Sequence, residues 1–236
     1  MPDRYFSETP IEGPLATLAG SEAHHLLHVM RAGPGDRVTL FDGAGAEFDA
    51  EVQTLARATA TLRVLERREV SRESARELVL AVAIPKGDRQ KWLVEKLTEL
   101  GVTSLVPLLT ERSVVRLAGS ALDKLRRNVV EASKQCGRNR LMEITAPRSW
   151  NECIEGFPEH RRLVAHPGVA AGLTAGSQTP TVVAVGPEGG LTDHEVELAQ
   201  QHGWRPIALG PRILRIETAA IAAATLVALA DGGNHG

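Results

Sequence analysis

Hydrophobic and polar positions follow two different patterns along the 236-residue chain. Up to about residue 70 they alternate. Arg37-Val38-Thr39-Leu40-Phe41 and Glu47 to Val52 flank the turn Asp42-Gly43-Ala44-Gly45. Alternation on both sides of a glycine-rich turn predicts a hairpin. Thr59 to Leu65 supplies a third strand, and Ser21 to Met30 reads as a short helix with Ser21 as its N-cap. A small barrel or sandwich carrying one helix fits this segment. Residues 66 to 77 are charged and without period, which marks a linker.

From Leu78 onward the pattern changes to continuous apolar runs separated by helical periodicity. Leu78 to Ile84 is apolar throughout, as expected of a strand buried on both faces. Asp88 is placed to cap a following helix whose inner face is predicted to be Trp92, Leu93, the Lys96 stem, Leu97 and Leu100, with Gly101 as its stop. Ser104 to Leu109 predicts a strand, and Ala121 to Cys136 a helix with Leu122, Leu125, Val129 and Ala132 inward. Shorter strands are expected near Met142 to Thr145 and Arg162 to Ala165. Repeated strand–helix units imply a mostly parallel sheet with helices on both faces.

The stretch from Val182 to Leu226 carries this pattern twice. Thr181 to Val185 runs into Gly186-Pro187-Glu188-Gly189-Gly190-Leu191, and Thr192-Asp193-His194-Glu195 then has the form of a capping box, in a helix ended by Gly203. Pro206 to Leu209 runs into Gly210-Pro211-Arg212-Ile213-Leu214-Arg215-Ile216-Glu217-Thr218, and a last helix is expected from about Glu217 to Leu229. A β-branched run ending in a glycine turn ahead of a helix places a site at the strand's C-terminal end. Two such loops in adjacent units predict one shared pocket.

Composition narrows the class. The chain is 43% hydrophobic with two cysteines, Cys136 and Cys153, in no CxxC spacing, so a disulfide framework or zinc ribbon is not expected. The N-terminus has no apolar signal region, and the Ala219 to Ala230 run is too short to span a bilayer. A cytoplasmic protein with no membrane partner is the expectation. The net charge of −2 hides a bias: Arg112 to Arg148 holds nine basic residues and three acidic ones. Such a cluster suits one polyanion bound at one place, or a solvated helix face.

Motifs narrow the chemistry further. Gly43-Ala44-Gly45 lacks the third glycine of a dinucleotide fingerprint, and Gly186 to Gly190 lacks the Lys-Ser/Thr ending of a P-loop. The first is read as a hairpin turn. In the second, one carboxylate amid open backbone suits a ligand with amino and hydroxyl groups, a plain turn being the alternative. His24 and His28 share a helix face without an acidic or thiol partner nearby, so no metal is expected. His166, at a strand end, lies near the pocket or is structural. No Gly-x-Ser-x-Gly elbow is present. After Gly137, the residues Arg138, Asn139 and Arg140 are expected to project from a loop. Two guanidiniums and an amide can grip a phosphodiester and read a base edge, or the arginines can balance the helix dipole. Arg215 and Glu217 flank the second loop, as an ion pair or as separate contacts to ligand and substrate.

Five blocks in this order resemble the RsmE family of small-subunit rRNA uridine-N3 methyltransferases. They are Glu95 to Val102, Glu111-Arg112-Ser113, Glu131 to Arg140, Gly186 to Leu191 and Leu209 to Ala219. The stretch from His25 to Gly45, including Met30-Arg31-Ala32-Gly33-Pro34-Gly35-Asp36, resembles that family's RNA-binding domain. The resemblance implies an α/β chain: a PUA-like β-barrel at 1–70, a linker at 71–77, and a SPOUT-class methyltransferase domain at 78–236 with a C-terminal trefoil knot. It implies S-adenosylmethionine as cofactor, a homodimer, no metal, and a uridine in the decoding region of 16S rRNA as target.

Carried over, Gly186, Glu188, Gly189 and Gly190 face Leu209, Gly210, Ile213 and Leu214 across the cofactor pocket. Arg31, Arg112, Arg138, Asn139 and Arg140 are the expected RNA contacts, with Arg67, Arg68 and Arg72 of the linker assisting. Arg138, Arg215 and Glu217 are the catalytic candidates, because uridine N3 must lose a proton and its anion must be stabilised. A non-catalytic RNA-binding factor, and a methyltransferase acting on another RNA, are the alternatives. A nucleotide-dependent kinase would require a Lys or Arg in the first glycine loop, which has neither.

Overall fold

The computed structural model describes residues 3–117, 119–169 and 179–229. By its contacts the chain divides into two compact units: Met1–Glu73 with Val130–Leu141, and Ser74–Val129 with Met142–Gly236.

In the first unit, β1 (Arg4–Phe6), β2 (Leu15–Ala19), β3 (Arg37–Phe41), β4 (Glu47–Leu55) and β5 (Thr59–Arg68) form a sheet in the order β1-β3-β4-β5-β2. Pairing is antiparallel except between β1 and β3. The expected hairpin is β3–β4, and its alternation buries Leu40, Phe48, Ala50 and Val52 against Tyr5, Leu18 and Leu62. Each fully buried leucine contributes about 1.5–3 kcal/mol. β1 and β2 were not legible in the sequence: β1 has three residues, and β2 buries only Ala16 and Leu18. The helix after β2 is also divided differently. α1 (Gly20–His24) gives way to a π-helical turn, His25–Val29, and the capping position is Ala19, so Ser21 is not the N-cap. Gly20 adopts a φ of +56°, which lets the chain enter the helix directly from β2 and moves the boundary upstream.

Val130–Leu141 belongs with this unit, a departure from a single cut at the linker. Charge pairs hold it there. Lys134 Nζ donates to Glu22 Oε1 at 2.8 Å, and Arg4 donates to Glu47 Oε2 at 2.9 Å and to Asn139 Oδ1 at 2.7 Å. Arg72 donates to Glu47 Oε2 at 3.3 Å and to the Gly137 carbonyl at 2.9 Å. Burial works to raise the Glu47 carboxyl, but hydrogen bonds from Arg4 and Arg72 outweigh it and hold the group below its ordinary value.

The second unit is a parallel sheet in the order β12-β10-β11-β6-β7-β8. Its strands are β6 (Leu78–Val82), β7 (Ser104–Leu109), β8 (Glu143–Ile144), β10 (Arg161–Ala165), β11 (Thr181–Val185) and β12 (Arg205–Ile207), while β9 (Arg148–Ser149) pairs with β7. Every residue of β6 and β11 is buried, as continuous apolar runs require of a central parallel strand. The helices are α2 (Arg89–Glu99), α3 (Ser120–Cys136, shared with the first unit), α4 (Trp150–Glu155), α5 (Asp193–Gln201) and α6 (Ile216–Leu229). Ala230, the end of the predicted apolar run, lies outside the described residues. Among the described residues no helix is long and apolar enough to cross a membrane.

Two expectations need correction here. The buried stripe of α2 is Leu93, Val94, Leu97 and Thr98; Trp92 faces outward, 44% exposed. Asp88 occupies the N-cap position without a side-chain cap hydrogen bond. The stripe is displaced because Val94 and Thr98 fill the i, i+4 positions beside Leu93 and Leu97, and Thr98 satisfies its hydroxyl within the helix, donating to the Val94 carbonyl at 2.8 Å. α4 went unread, although Ser149 and Glu152 form a reciprocal capping box of the legible S-x-x-E type.

Glu47 ties stability to acid. A carboxyl held low in the folded state contributes stability that is present above its unfolded value and is lost as pH falls through the folded one. Denaturant unfolding followed from pH 6 down to the acid limit should show a stability loss that Glu47→Gln flattens; parallel curves for the two proteins would contradict the linkage.

Candidate functional site

β12, β10 and β11 are neighbours and parallel, so their C-terminal ends share one edge of the sheet. The chain leaves these ends through Ala165-His166-Pro167, through Gly186 to Leu191, and through Leu209 to Leu214. All three segments line one cavity of about 270 Å³. Gly186, Glu188, Gly189, Gly190, Leu209, Gly210, Ile213 and Leu214, the eight residues expected to share a pocket, all lie on it, and His166 joins them. Leu191, Leu209, Leu214 and Ile216 give an apolar wall, while Glu188 and Arg212 supply charge. Ile213, an apolar side chain at this cavity, is 89% exposed.

The first loop is held from several sides. Thr192 and Glu195 form the expected capping box, with the Glu195 backbone N–H donating to Thr192 Oγ1 at 3.2 Å and the Thr192 N–H to Glu195 Oε2 at 2.8 Å. The second oxygen of this buried carboxylate accepts the Glu111 backbone N–H at 2.9 Å, and the Glu195 carbonyl accepts from the Trp150 indole at 3.0 Å. Arg112 then donates through Nη1 to the Gly189 carbonyl at 2.8 Å. Gly186 has no room for a side chain, because a Cβ there would lie 2.9 Å from Leu191 Cγ. Gly210 opens the second loop with a φ of +112°, a conformation that only glycine adopts without strain.

A second groove adjoins the cavity, lined by Asp88, Arg89, Trp92, Arg215, Glu217 and Thr218. Leu214, Ile216 and Ala219 face the first cavity, whereas Arg215, Glu217 and Thr218 face the groove. Arg89 connects the two sites: Nη2 lies 3.3 Å from Glu188 Oε1, and Nη1 lies 3.7 Å from Glu217 Oε2. Glu217 is only 4% exposed, and its Oε2 accepts no hydrogen bond. Its cationic neighbour is therefore Arg89 rather than Arg215. Arg89 and Trp92 were missed in the sequence. The available signal was their place in the first turn of a helix that follows a buried strand.

The expected RNA contacts separate. Arg138 and Asn139 do not project: they are 3% and 2% exposed. The Arg138 guanidinium pairs with Glu73 at 2.6 Å, and the Asn139 amide donates to the Val70 carbonyl at 2.8 Å. These partners turn both side chains into the first unit, whereas Arg215 and Glu217 belong to the second. Arg140 is exposed. So is Arg31, which holds a left-handed φ of 56° next to the exposed Val29 and Met30. Arg112 is exposed but spends one guanidinium nitrogen on the glycine loop. Arg67 and Arg68 lie at the end of β5 rather than in a linker, Arg67 pairing with Glu69 and Arg68 with Asp49 and Glu47, while Arg72 pairs with Glu47. These arginines thus balance carboxylates of this chain.

A family model described as an RNA methyltransferase domain matches residues 72–228, and one described as an RNA methyltransferase PUA domain matches 18–65. Two relatives bear the name ribosomal RNA small subunit methyltransferase E. The one from Synechocystis is 36% identical over 86% of this chain and 69% of its own length; the one from Bacillus subtilis is 31% identical over 95% of each. The chain belongs to the RsmE family of RNA methyltransferases. Among solved structures, an RsmE protein from Neisseria gonorrhoeae, bound to S-adenosyl methionine, superimposes with a TM-score of 0.87 at 32% identity over 95% of each chain. A methyltransferase from Legionella pneumophila, in complex with the same cofactor, gives 0.89 at 32% identity over 95% of this chain and 96% of that one. The five-stranded unit is therefore the PUA-like domain of an RsmE chain, and the parallel sheet its methyltransferase domain.

Steric closure of the first loop has a measurable consequence. Gly186→Ala should destabilise the protein by about 1–3 kcal/mol through overpacking against Leu191. In a Leu191→Ala background the same change should cost clearly less, because the two sites are in contact. Equal penalties in both backgrounds, read from urea unfolding, would mean the crowding is not there.

Proposed function

We propose that this RsmE chain uses S-adenosylmethionine to methylate N3 of a uridine in the decoding region of 16S rRNA. The coarser statement, that it is an S-adenosylmethionine-dependent rRNA methyltransferase, follows from its family. One observation supports the site assignment above the rest: both glycine loops open into one cavity at the C-terminal ends of β12, β10 and β11. The residues suit the cofactor. Leu191, Leu209 and Leu214 offer an apolar slot for adenine, Gly186 to Gly190 leave backbone groups uncovered, and the Glu188 carboxylate suits hydroxyl or ammonium groups. When bound, the cofactor supplies a methyl carbon already made electrophilic by its sulfonium.

The chain's own task is then to position the nucleotide and handle one proton. Arg215 and Glu217 stand next to the cofactor cavity and are the catalytic candidates that the placement favours. Arg31 and Arg140, both exposed, are proposed to contact RNA phosphates. Arg138 and Asn139 enter through the fold, by setting the loop that carries Arg140. Arg112 acts on the cofactor loop through the Gly189 carbonyl, with its remaining donors available to RNA. A C-terminal trefoil knot, a homodimer using the α6 face that exposes Leu226, and a cytoplasmic setting complete the proposal.

The deciding experiment incubates the protein with S-adenosylmethionine and small ribosomal subunits lacking the modification, followed by nucleoside mass spectrometry. A 3-methyluridine peak is expected. Cofactor binding without methylation would mean a different RNA; no cofactor binding would favour a non-catalytic RNA-binding factor. Arg112→Ala should weaken S-adenosylmethionine binding roughly tenfold, about 1.4 kcal/mol, by calorimetry. Arg138→Ala should lose rRNA methylation while the folded fraction still binds the cofactor. Loss of both in folded protein would refute a role confined to the RNA side.

A further inference from the structure

The groove beside the cavity has a composition that one kind of base matches. Glu217 is buried, and its Oε2 accepts no hydrogen bond, with Arg89 Nη1 3.7 Å away as its ion-pair partner; a buried polar atom without a hydrogen bond is costly. Its lining neighbours are Arg89 and Arg215, two obligate donors, and the indole of Trp92. Exposed tryptophan beside cations is the ordinary platform for an unstacked base. Trp150 and Trp204 are 5% and 2% exposed, so Trp92, at 44%, is the one placed for this.

We propose that this groove receives the target uracil, with Trp92 against its face and Arg89, Glu217 and Arg215 along its edge. The inference rests on the uridine-N3 reading above and supplies its substrate pocket. Uracil presents acceptor, donor, acceptor in the order O2, N3–H, O4, and arginine, carboxylate, arginine is the complementary order of donor, acceptor, donor. Cytosine offers an acceptor at N3 and a donor at N4, mismatching two of the three. The terminal torsion of a glutamate is broad, so Glu217 can turn the oxygen that accepts no hydrogen bond towards the groove while Arg89 stays beside it. Enzymes that modify a base draw it out of its stack into such a pocket.

The placement also accounts for the proton. The N3 proton passes to the Glu217 carboxylate and its electron pair stays on N3; a bound S-adenosylmethionine would then supply the methyl group to that pair, its carbon–sulfur pair staying with the departing thioether. Negative charge that gathers on O2 and O4 meets the two guanidiniums. Arg89 also pairs with Glu188 of the cofactor loop, so one side chain touches both sites.

Tryptophan fluorescence of the intact protein tests this, with uridine monophosphate, cytidine monophosphate and 3-methyluridine monophosphate as probes. Uridine monophosphate should quench emission saturably and at several-fold lower concentration than the other two, and Trp92→Phe should weaken both quenching and affinity. Glu217→Gln should still bind uridine monophosphate but lose at least a hundredfold in kcat on small subunits. Arg89→Ala should raise KM and lower kcat, with Arg89→Lys recovering part of each. Equal quenching by all three nucleotides, or none by any, would overturn the groove assignment. So would wild-type 3-methyluridine formation with kcat and KM unchanged in Arg89→Ala and Trp92→Ala; the uridine-N3 reading would then stand alone. A wild-type product other than 3-methyluridine would overturn both.

Discussion

Parallel pairing of β12, β10 and β11 is the constraint on which the site depends. Strands that run the same way deliver their C-terminal ends to one edge, and connections leaving that edge must share the space beyond it. Glycine loops 186–190 and 209–214 are far apart as sequence but neighbours there. A change of register would separate them, and no choice of loop residues would restore the cavity. The buried apolar runs of β6 and β11 anchor the sheet's centre, covered on both faces.

Once the loops are neighbours, a small set of polar groups fixes their shape. Glu195 joins a capping box to the backbone of Glu111, and Arg112 grips the carbonyl of Gly189. Satisfying the loop's exposed carbonyl with a guanidinium and its helix end with a carboxylate removes the usual reason for a loop to be mobile. Arg89 brings a third connection by pairing with Glu188 on one side and Glu217 on the other. The cavity and the adjoining groove are thus built on one shared segment. Residues 214 to 219 alternate between them over little more than one turn.

In the first unit charge does a different job. Glu47, buried among Arg4, Arg68 and Arg72, gathers residues from β1, β5 and the segment beyond it, while Asn139 and Arg138 secure the loop after α3. A side chain of the type that reads phosphates was used to build the fold. Buried arginine–carboxylate pairs lose heavily when one partner is removed, about 3–5 kcal/mol. Substitutions at Arg138 therefore have to be read against folding as well as function.

Local sequence determined a great deal. The β3–β4 hairpin, the buried strands β6 and β11, the Thr192–Glu195 cap, the glycine stops at 101, 137 and 203, and the meeting of the two glycine loops at one cavity were all legible. Each depends on chemistry acting within a few residues: alternation, β-branching, a side chain reaching its own helix end, or a φ that only glycine tolerates. Tertiary structure decided what each charged side chain faces. Nothing near Arg138 announces Glu73, 65 residues away, and nothing near Trp92 announces Arg215 and Glu217 across the groove. A guanidinium looks the same in sequence whether it meets a phosphate, a glycine carbonyl or a buried carboxylate. Only the packing of distant elements supplies the partner, because burial and charge pairing depend on distances in space rather than along the chain.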